Sequence, residues 1–498
     1  MRMDALRNIP LFLILLPLMS AALCLALPER MARRLTAAVA CLECAGMGAL
    51  IVYCQRLGES FVYAMGAIGA PFGNELRVGV LEALVGLCFS LVLLLAQVGG
   101  WKTLTRDISP NRRPLYCAVT CLLTAAMAAM TFTNDLFTAY VFIEITTIAA
   151  CALICASNHG HTLFAGARYM IMNLLGSGLF LLGLSMLYCL TGQLLFPQLG
   201  EGVRALLEDG RYAAPLYLSF LLMTMGIAVK SALYPFHTWL PSAYGSATAT
   251  SSAILSSLIS KMYIFLLIKI LLRAAGAEAF TRRLEDVLLL YAAAGVIMGS
   301  VHAMRQHTLS RMTAYSSVAH IGYIFLGISL GTQAGMAAAV FHMLAHSMAK
   351  SCLFLTVHRF KAVSGESDSF SALRGAAKRA PLAGCAYLIA AGSLVGIPLL
   401  GGFNGKLFLC QAGVSLGGWR MNALLGVLAL STVLNAAYLF KMALLLFGPE
   451  GEQEEKPASP PNAPYALAAV ALTLLTLALG AAGEAVMALI EQGMAMFA

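Results

Sequence analysis

From Ile9 onward the chain runs as one long apolar stretch after another, each bounded by charged residues or by clusters of glycine and proline. A helix that crosses a bilayer needs about 20 mostly apolar residues, because each residue advances only about 1.5 Å along the axis. Stretches of that kind at 9–27, 35–54, 78–99, 115–133, 135–156, 165–190, 213–233, 251–272, 287–303, 314–331, 333–358, 381–398, 421–447 and 464–490 predict about fourteen transmembrane helices. Composition agrees. Charged residues make up 11% of the chain, against roughly 25% in soluble domains, so a water-facing surface is excluded. The expected class is an all-α polytopic membrane protein, a single integral membrane domain over 1–498. The first run, 9–27, exceeds the hydrophobic part of a typical signal peptide. It ends in Pro28-Glu29-Arg30 without a small-x-small site, so it reads as a retained helix.

The formal net charge is +9. Most of the Lys and Arg residues sit in short loops between apolar runs, which is a topological signal rather than a polyanion site, and no nucleic-acid partner is expected. Loops after the odd-numbered runs carry more of these residues than the opposite side, tails included, which predicts both termini outside the cytoplasm. Thirteen cysteines are scattered through apolar runs, and Cys41-Leu42-Glu43-Cys44 is a lone C-x-x-C. Zinc and iron–sulfur sites need more ligands at set spacing, so no metal is expected. There is no G-x-G-x-x-G, and Gly402-Phe403-Asn404-Gly405-Lys406-Leu407 lacks the spacing and hydroxyl of a phosphate loop. Neither a cofactor nor a catalytic residue is expected, and energy for transport must arrive from elsewhere.

Two runs are interrupted. The seventh leads into Tyr234-Pro235-Phe236-His237-Thr238-Trp239-Leu240-Pro241, where each proline removes a backbone donor and clashes with the preceding turn. The twelfth meets Ile397-Pro398-Leu399-Leu400-Gly401-Gly402-Phe403-Asn404-Gly405. These breaks hold corresponding places in two blocks, 115–272 (runs four to eight) and 287–447 (runs nine to thirteen). Such pairing predicts two inverted five-helix repeats with discontinuous helices 7 and 12 and a site where the backbone opens. The first three helices, within 1–100, and a last one at 464–490 flank the repeats. Lys230 stands just before the first break and Lys406 just after the second.

Basic residues within or at the ends of apolar runs are all lysines: Lys230, Lys261, Lys269, Lys350, Lys406 and Lys441. A buried lysine can release its proton and an arginine cannot. A charge at the centre of a membrane helix costs about 2.5–3.5 kcal/mol, so these groups must be paired, neutral or hydrated. Glu144 lies mid-helix, and Lys230 is its natural partner. Lys261 is too deep to snorkel, whereas Lys269 and Lys441 lie nearer helix ends and are expected to do so. His342, His346 and Lys350 recur every four residues, on one helical face spanning roughly 12 Å. The acidic residue of a metalloprotease helix is missing there, and imidazoles that titrate near neutrality suit a proton relay better. His237 and His320 are secondary candidates; His320, like His302, reads more readily as a hydrogen-bonded core histidine.

These residues carry a resemblance. Val229-Lys230-Ser231, the Pro235–Pro241 stretch, the His342/His346/Lys350 helix and Gly402-Phe403-Asn404-Gly405-Lys406 resemble the antiporter-like subunits of respiratory complex I. The D-type subunits of multisubunit Na+/H+ antiporters and membrane subunits of membrane-bound hydrogenases share that family. The resemblance covers nearly the whole chain. It implies a fourteen-helix fold with two inverted repeats and a water-filled axis of charges at the membrane midplane. Within it Glu144 and Lys230 would be the coupling pair, Lys261 the central relay and Lys406 the terminal group. His342, His346 and Lys350 would fill the segment between. Residues 244–253 lack the prolines usual in the family, and no long lateral helix follows the last run. The expected function is a proton-translocating subunit of a multisubunit respiratory-type complex, NADH:quinone oxidoreductase-like or hydrogenase-like, in a bacterial or archaeal inner membrane. Its partners would be other integral membrane subunits and protons, with Na+ left open. The alternatives are the D-type subunit of a Na+/H+ antiporter and, in another class, a self-sufficient secondary transporter.

Overall fold

The computed structural model describes residues 6–69, 73–275, 282–449 and 461–497. Thirteen of the fourteen apolar runs each fall mainly on one helix, the last, 464–490, is divided between Ala463–Ala481 and Gly483–Ala495, and among the described residues twelve helices are long and apolar enough to cross a membrane. The bundle opens with α1 (Ile9–Ala26), α2 (Glu29–Leu57), α3 (Val80–Asp107) and α4 (Arg113–Phe132). It continues with α5 (Leu136–Ile154), α6 (Gly160–Thr191), an amphipathic α7 (Phe196–Asp209) and α8 (Ala213–Lys230). After the short α9 (Leu240–Ser246) come α10 (Ala249–Ala275), α11 (Arg282–Met304), α12 (Leu309–Ser329) and α13 (Gln333–Val363). The chain closes through α14 (Pro381–Val395), α15 (Gly401–Leu416), α16 (Gly418–Phe447), α17 (Ala463–Ala481) and α18 (Gly483–Ala495). The two runs outside the twelve are the short α14 and α12, whose sequence mixes Ser, Thr, His and Tyr among its apolar residues.

Burial separates an inside from a rim. The apolar windows of α10 and α13 are entirely enclosed, whereas those of α2, α16 and α17 are only one-third buried. A helix enclosed on all sides needs no polar face, yet α10 and α13 carry lysines and histidines. Polar groups placed so deep must be satisfied within the protein.

Both expected breaks are present. α8 stops at Lys230, Ala232 takes the left-handed conformation (φ 63°), and a 3-10 turn over Phe236–Trp239 leads into α9. The indole N–H of Trp239 donates to the carbonyl of Val229 at 3.2 Å, occupying an oxygen released by the break. α14 stops at Val395, Gly396 turns left-handed (φ 93°), and the helix resumes at Gly401. The apolar pattern predicts this break but no helix between 398 and 421; α15 fills that interval.

Two further elements escape the hydropathy pattern. Phe61–Ala64 (β1) and Glu75–Val78 (β2) form an antiparallel hairpin in register Phe61↔Val78 to Ala64↔Glu75. In α10 the α-helical ladder is interrupted by π turns at Leu255–Ile259 and Leu271–Ala275. Insertions of this kind are frequent at functional sites.

Candidate functional site

The site is assembled from the broken and widened helices just described. At one end, Gly176 of α6 and Gly226 of α8 let the two backbones touch: a Cβ on Gly176 would lie 2.8 Å from the Gly226 carbonyl oxygen and 2.9 Å from Lys230 Cγ. This contact seats Lys230 against α5. Its ammonium is fully buried, 3.5 Å from Glu144 Oε1, and donates to Thr147 Oγ1 at 2.9 Å. Glu144 also accepts from the Ser177 hydroxyl, and its side chain keeps 27% exposure, so one partner is enclosed and the other reaches the rim. Thr147 gives its single proton to the Ile143 carbonyl at 2.9 Å. Its lone pairs are then left for Lys230 and for the Tyr263 hydroxyl, 3.1 Å away. The Tyr263 ring lies 5.5 Å from Lys230 Nζ, adding a cation–π contact.

Tyr263 belongs to α10, two residues beyond Lys261. The π turn before Lys261 opens the local ladder, and the lysine amine donates to the Ser256 carbonyl five residues earlier. The next carbonyl, that of Ser257, accepts from Ser347 Oγ of α13 at 2.7 Å. Two carbonyls of the widened turn therefore serve side chains, and the second ties α10 to α13 beside His346.

Three imidazoles stack there. His320 Nδ1 lies 3.1 Å from His342 Nε2, and the His320 ring stands 5.3 Å from that of His342 and 5.0 Å from that of His346. All three are at most 1% exposed. His342 Nδ1, His320 Nε2 and both nitrogens of His346 have no hydrogen-bond partner among the described residues. One turn from His346, Lys350 donates to the Thr313 carbonyl at 2.6 Å and to the Ser316 hydroxyl, both on α12. On the far side of the stack, Tyr323 packs against His320 and His342, with ring centroids 5.2 Å apart in each case. The ammonium of Lys406 sits 5.0 Å from the Tyr323 centroid and donates to Val395 O at 2.7 Å and Thr432 Oγ1 at 3.1 Å.

The structure thus brings Glu144, Lys230, Lys261, His342, His346, Lys350 and Lys406 into one interior row. His320 reads as a core histidine in the sequence, but it stands between His342 and His346. The signal that points to it is Tyr323, three residues later on the same face. His237 lies apart: its ring contacts are with Tyr234, His302 and Tyr315, at 5.2, 5.5 and 6.1 Å. Lys269 does not snorkel. It is fully buried and donates to the carbonyls of Thr131 and Thr133 at 2.6 and 3.0 Å, oxygens left free where α4 ends. Lys441 is exposed, as a snorkelling residue would be. Among the described residues no group of three or more His, Cys, Asp or Glu side chains is placed to hold a metal ion.

Comparison with known proteins places this geometry in a family. Residues 133–446 match the family described as "NADH:quinone oxidoreductase/Mrp antiporter, TM". The NADH-quinone oxidoreductase subunit N of Desulforudis audaxviator is 31% identical over 442 residues, covering 87% of this chain and 85% of that protein. The D-type subunit of the Na(+)/H(+) antiporter of Bacillus subtilis is 26% identical over 395 residues, covering 79% and 77%. A chain of the Mrp complex from Dietzia sp. DQ12-45-1b superimposes with a TM-score of 0.88 at 24% identity, over 99% of this chain and 97% of that one, so the fold is shared. The protein is a multi-pass membrane protein and belongs to the NADH:quinone oxidoreductase/Mrp antiporter transmembrane family.

Proposed function

We propose that this chain is a proton-translocating membrane subunit of a multisubunit respiratory-type complex, and that its interior row is the path. The carrying observation is the set of enclosed contacts at the two ends, Glu144 with Lys230, Thr147 and Tyr263 at one and the imidazole stack with Tyr323 and Lys406 at the other, with the buried amine of Lys261 on the helix that carries Tyr263. Each member can hold or yield a proton, and hydroxyls and free carbonyls stand between them. Lys230 and Glu144 form the coupling pair: drawn together they favour both charges, and drawn apart they favour transfer. Lys261 passes the proton to the histidines, Lys350 is a side station on the same face, and Lys406 is the terminal group. The blocks 115–272 and 287–447 act as the two repeats, each with its broken helix and its lysine.

The reading carries partners and topology with it. Other integral membrane subunits supply the driving reaction. The membrane is a prokaryotic inner membrane, with both termini on the non-cytoplasmic side. Resemblance to the Bacillus subtilis antiporter protein supports a second reading, in which the complex exchanges Na+ for H+. Proton uptake into inverted membrane vesicles separates the two. Redox-driven uptake without Na+ is expected under the first reading, and Na+-dependent exchange without electron transfer under the second. If Lys230→Gln and Glu144→Gln leave both activities intact, the row is not the path. Independent ion transport by the chain alone in liposomes would instead identify a self-sufficient transporter.

A further inference from the structure

Away from the interior row, a cleft of about 540 Å³ opens between the start of α2, the end of α3 and the start of α4. Arg30, Arg33 and Arg34 from the first turns of α2 and Lys102 from the last turns of α3 line it. All four are exposed, and none forms an ion pair among the described residues. The single acidic lining residue, Glu29, is already engaged by Arg113 at 2.8 Å. Among the described residues the rim therefore holds four positive charges with no counter-charge. Arg33 is braced over Trp101, its Cζ 5.3 Å from the ring centroid.

A second, independent observation points inward. Gln97, 8% exposed, and Thr250, fully buried, line the same cleft, and Gln97 Nε2 and Thr250 Oγ1 have no hydrogen-bond partner among the described residues. Both can donate. The remaining wall between them and the rim includes apolar Ala37 and Val98. A ligand that satisfies these surfaces is anionic at one end, carries acceptor oxygens behind the charge, and continues into an apolar chain.

We propose that this cleft binds an anionic glycerophospholipid. The three guanidinium groups and Lys102 hold the phosphodiester oxygens, as planar forks and a point charge do in phosphate sites. Gln97 and Thr250 donate to ester or headgroup oxygens, and an acyl chain lies along Ala37 and Val98. Two features favour a lipid over an acidic segment of a partner protein. α2 buries only one-third of its apolar window, so an apolar surface that this chain leaves uncovered runs on from the cleft. The loops after the first and third apolar runs, which flank the cleft, lie on the Lys/Arg-rich side, the side that faces anionic lipid in biological membranes.

The test is native mass spectrometry of the full chain in mild detergent, titrated with phosphatidylglycerol or with phosphatidylcholine of the same acyl chains. Wild-type protein is expected to retain phosphatidylglycerol in preference. Each interfacial cation contributes about 1 kcal/mol to such binding, so Arg33→Ala with Arg34→Ala should weaken retention by about tenfold or more. Lys102→Gln should weaken it by a smaller step, and Arg374→Ala, in a different loop, should leave it unchanged. Equal retention of both lipids, or a preference that survives the Arg33/Arg34 double change, overturns the proposal. So does displacement of the lipid by excess inorganic phosphate alone, which would assign the cleft to free anions. An acidic segment of a neighbouring subunit found filling the cleft in the assembled complex would overturn it as well.

Discussion

The amine of Lys406 and the carbonyl oxygen of Val395 lie 2.7 Å apart across the gap between α14 and α15. Val395 is the last residue of the first half-helix, and its oxygen has no intrahelical donor because the ladder ends there. The lysine on the second half-helix supplies that donor. Break and lysine form one unit: without the interruption no oxygen would be free to hold the amine, and without the amine a carbonyl would be stranded inside the bundle.

Gly396 makes the unit possible, and its replacement tests it. The residue has φ 93°, and a Cβ there would stand 3.1 Å from Lys406 Cδ and 3.5 Å from its Nζ. Gly396→Ala is expected to destabilise the protein by about 1 kcal/mol or more, read as a lower midpoint of thermal unfolding in detergent. It should also depress proton translocation in the direction of Lys406→Gln. A variant with unchanged pumping would separate the break from the lysine's role.

Glu144→Gln and Lys230→Gln should each reduce proton translocation by about tenfold or more, the scale on which a positioned proton carrier acts. Because the two groups share one contact at 3.5 Å, the double change should be no worse than the more damaging single one. Additive losses in vesicle pumping assays would mean that the groups act separately.

His320 and His237 supply a matched comparison. His320→Gln removes the ring between His342 and His346 and should cut translocation by about tenfold or more. His237→Phe keeps an aromatic ring against Tyr234 and His302 and should leave translocation near wild type. The reverse order would move the path toward the first helix break.

Tyr263→Phe retains the ring beside Lys230 but deletes the hydroxyl that meets Thr147 at 3.1 Å. Loss of one such hydrogen bond is expected to cost about 0.5–1.5 kcal/mol of stability. Translocation should fall less than in Tyr263→Ala, which removes the cation–π contact as well. Wild-type pumping by both variants would show that neither the ring nor the hydroxyl takes part, and equally reduced pumping would assign the effect to the hydroxyl alone.

Much of the architecture is legible because a bilayer writes itself into sequence as length and apolarity. The apolar runs, both breaks and the pairing of Glu144 with Lys230 follow from where charge and proline interrupt hydrocarbon. What stays hidden depends on tertiary placement. Lys269 reads as an end-of-helix lysine until its span is seen enclosed, with the terminal carbonyls of α4 around the amine. α15 is masked by the glycines that open it, which hydropathy reads as loop. The hairpin Phe61–Val78 is too short to show a period of its own. His320 needs a second helix, since its neighbours His342 and His346 lie on α13.

The π turn at Leu255–Ile259 places one residue more in the coil than a regular helix would hold. Successive helical residues are set roughly 100° apart, so every side chain after the turn is rotated by about that amount from where an unbroken spiral would aim it. Lys261 owes its compass bearing to that surplus residue. Winding those five residues into a regular coil would swing the amine, with Tyr263 behind it, onto a different wall of the bundle, whereas deleting one of them would leave it where it is.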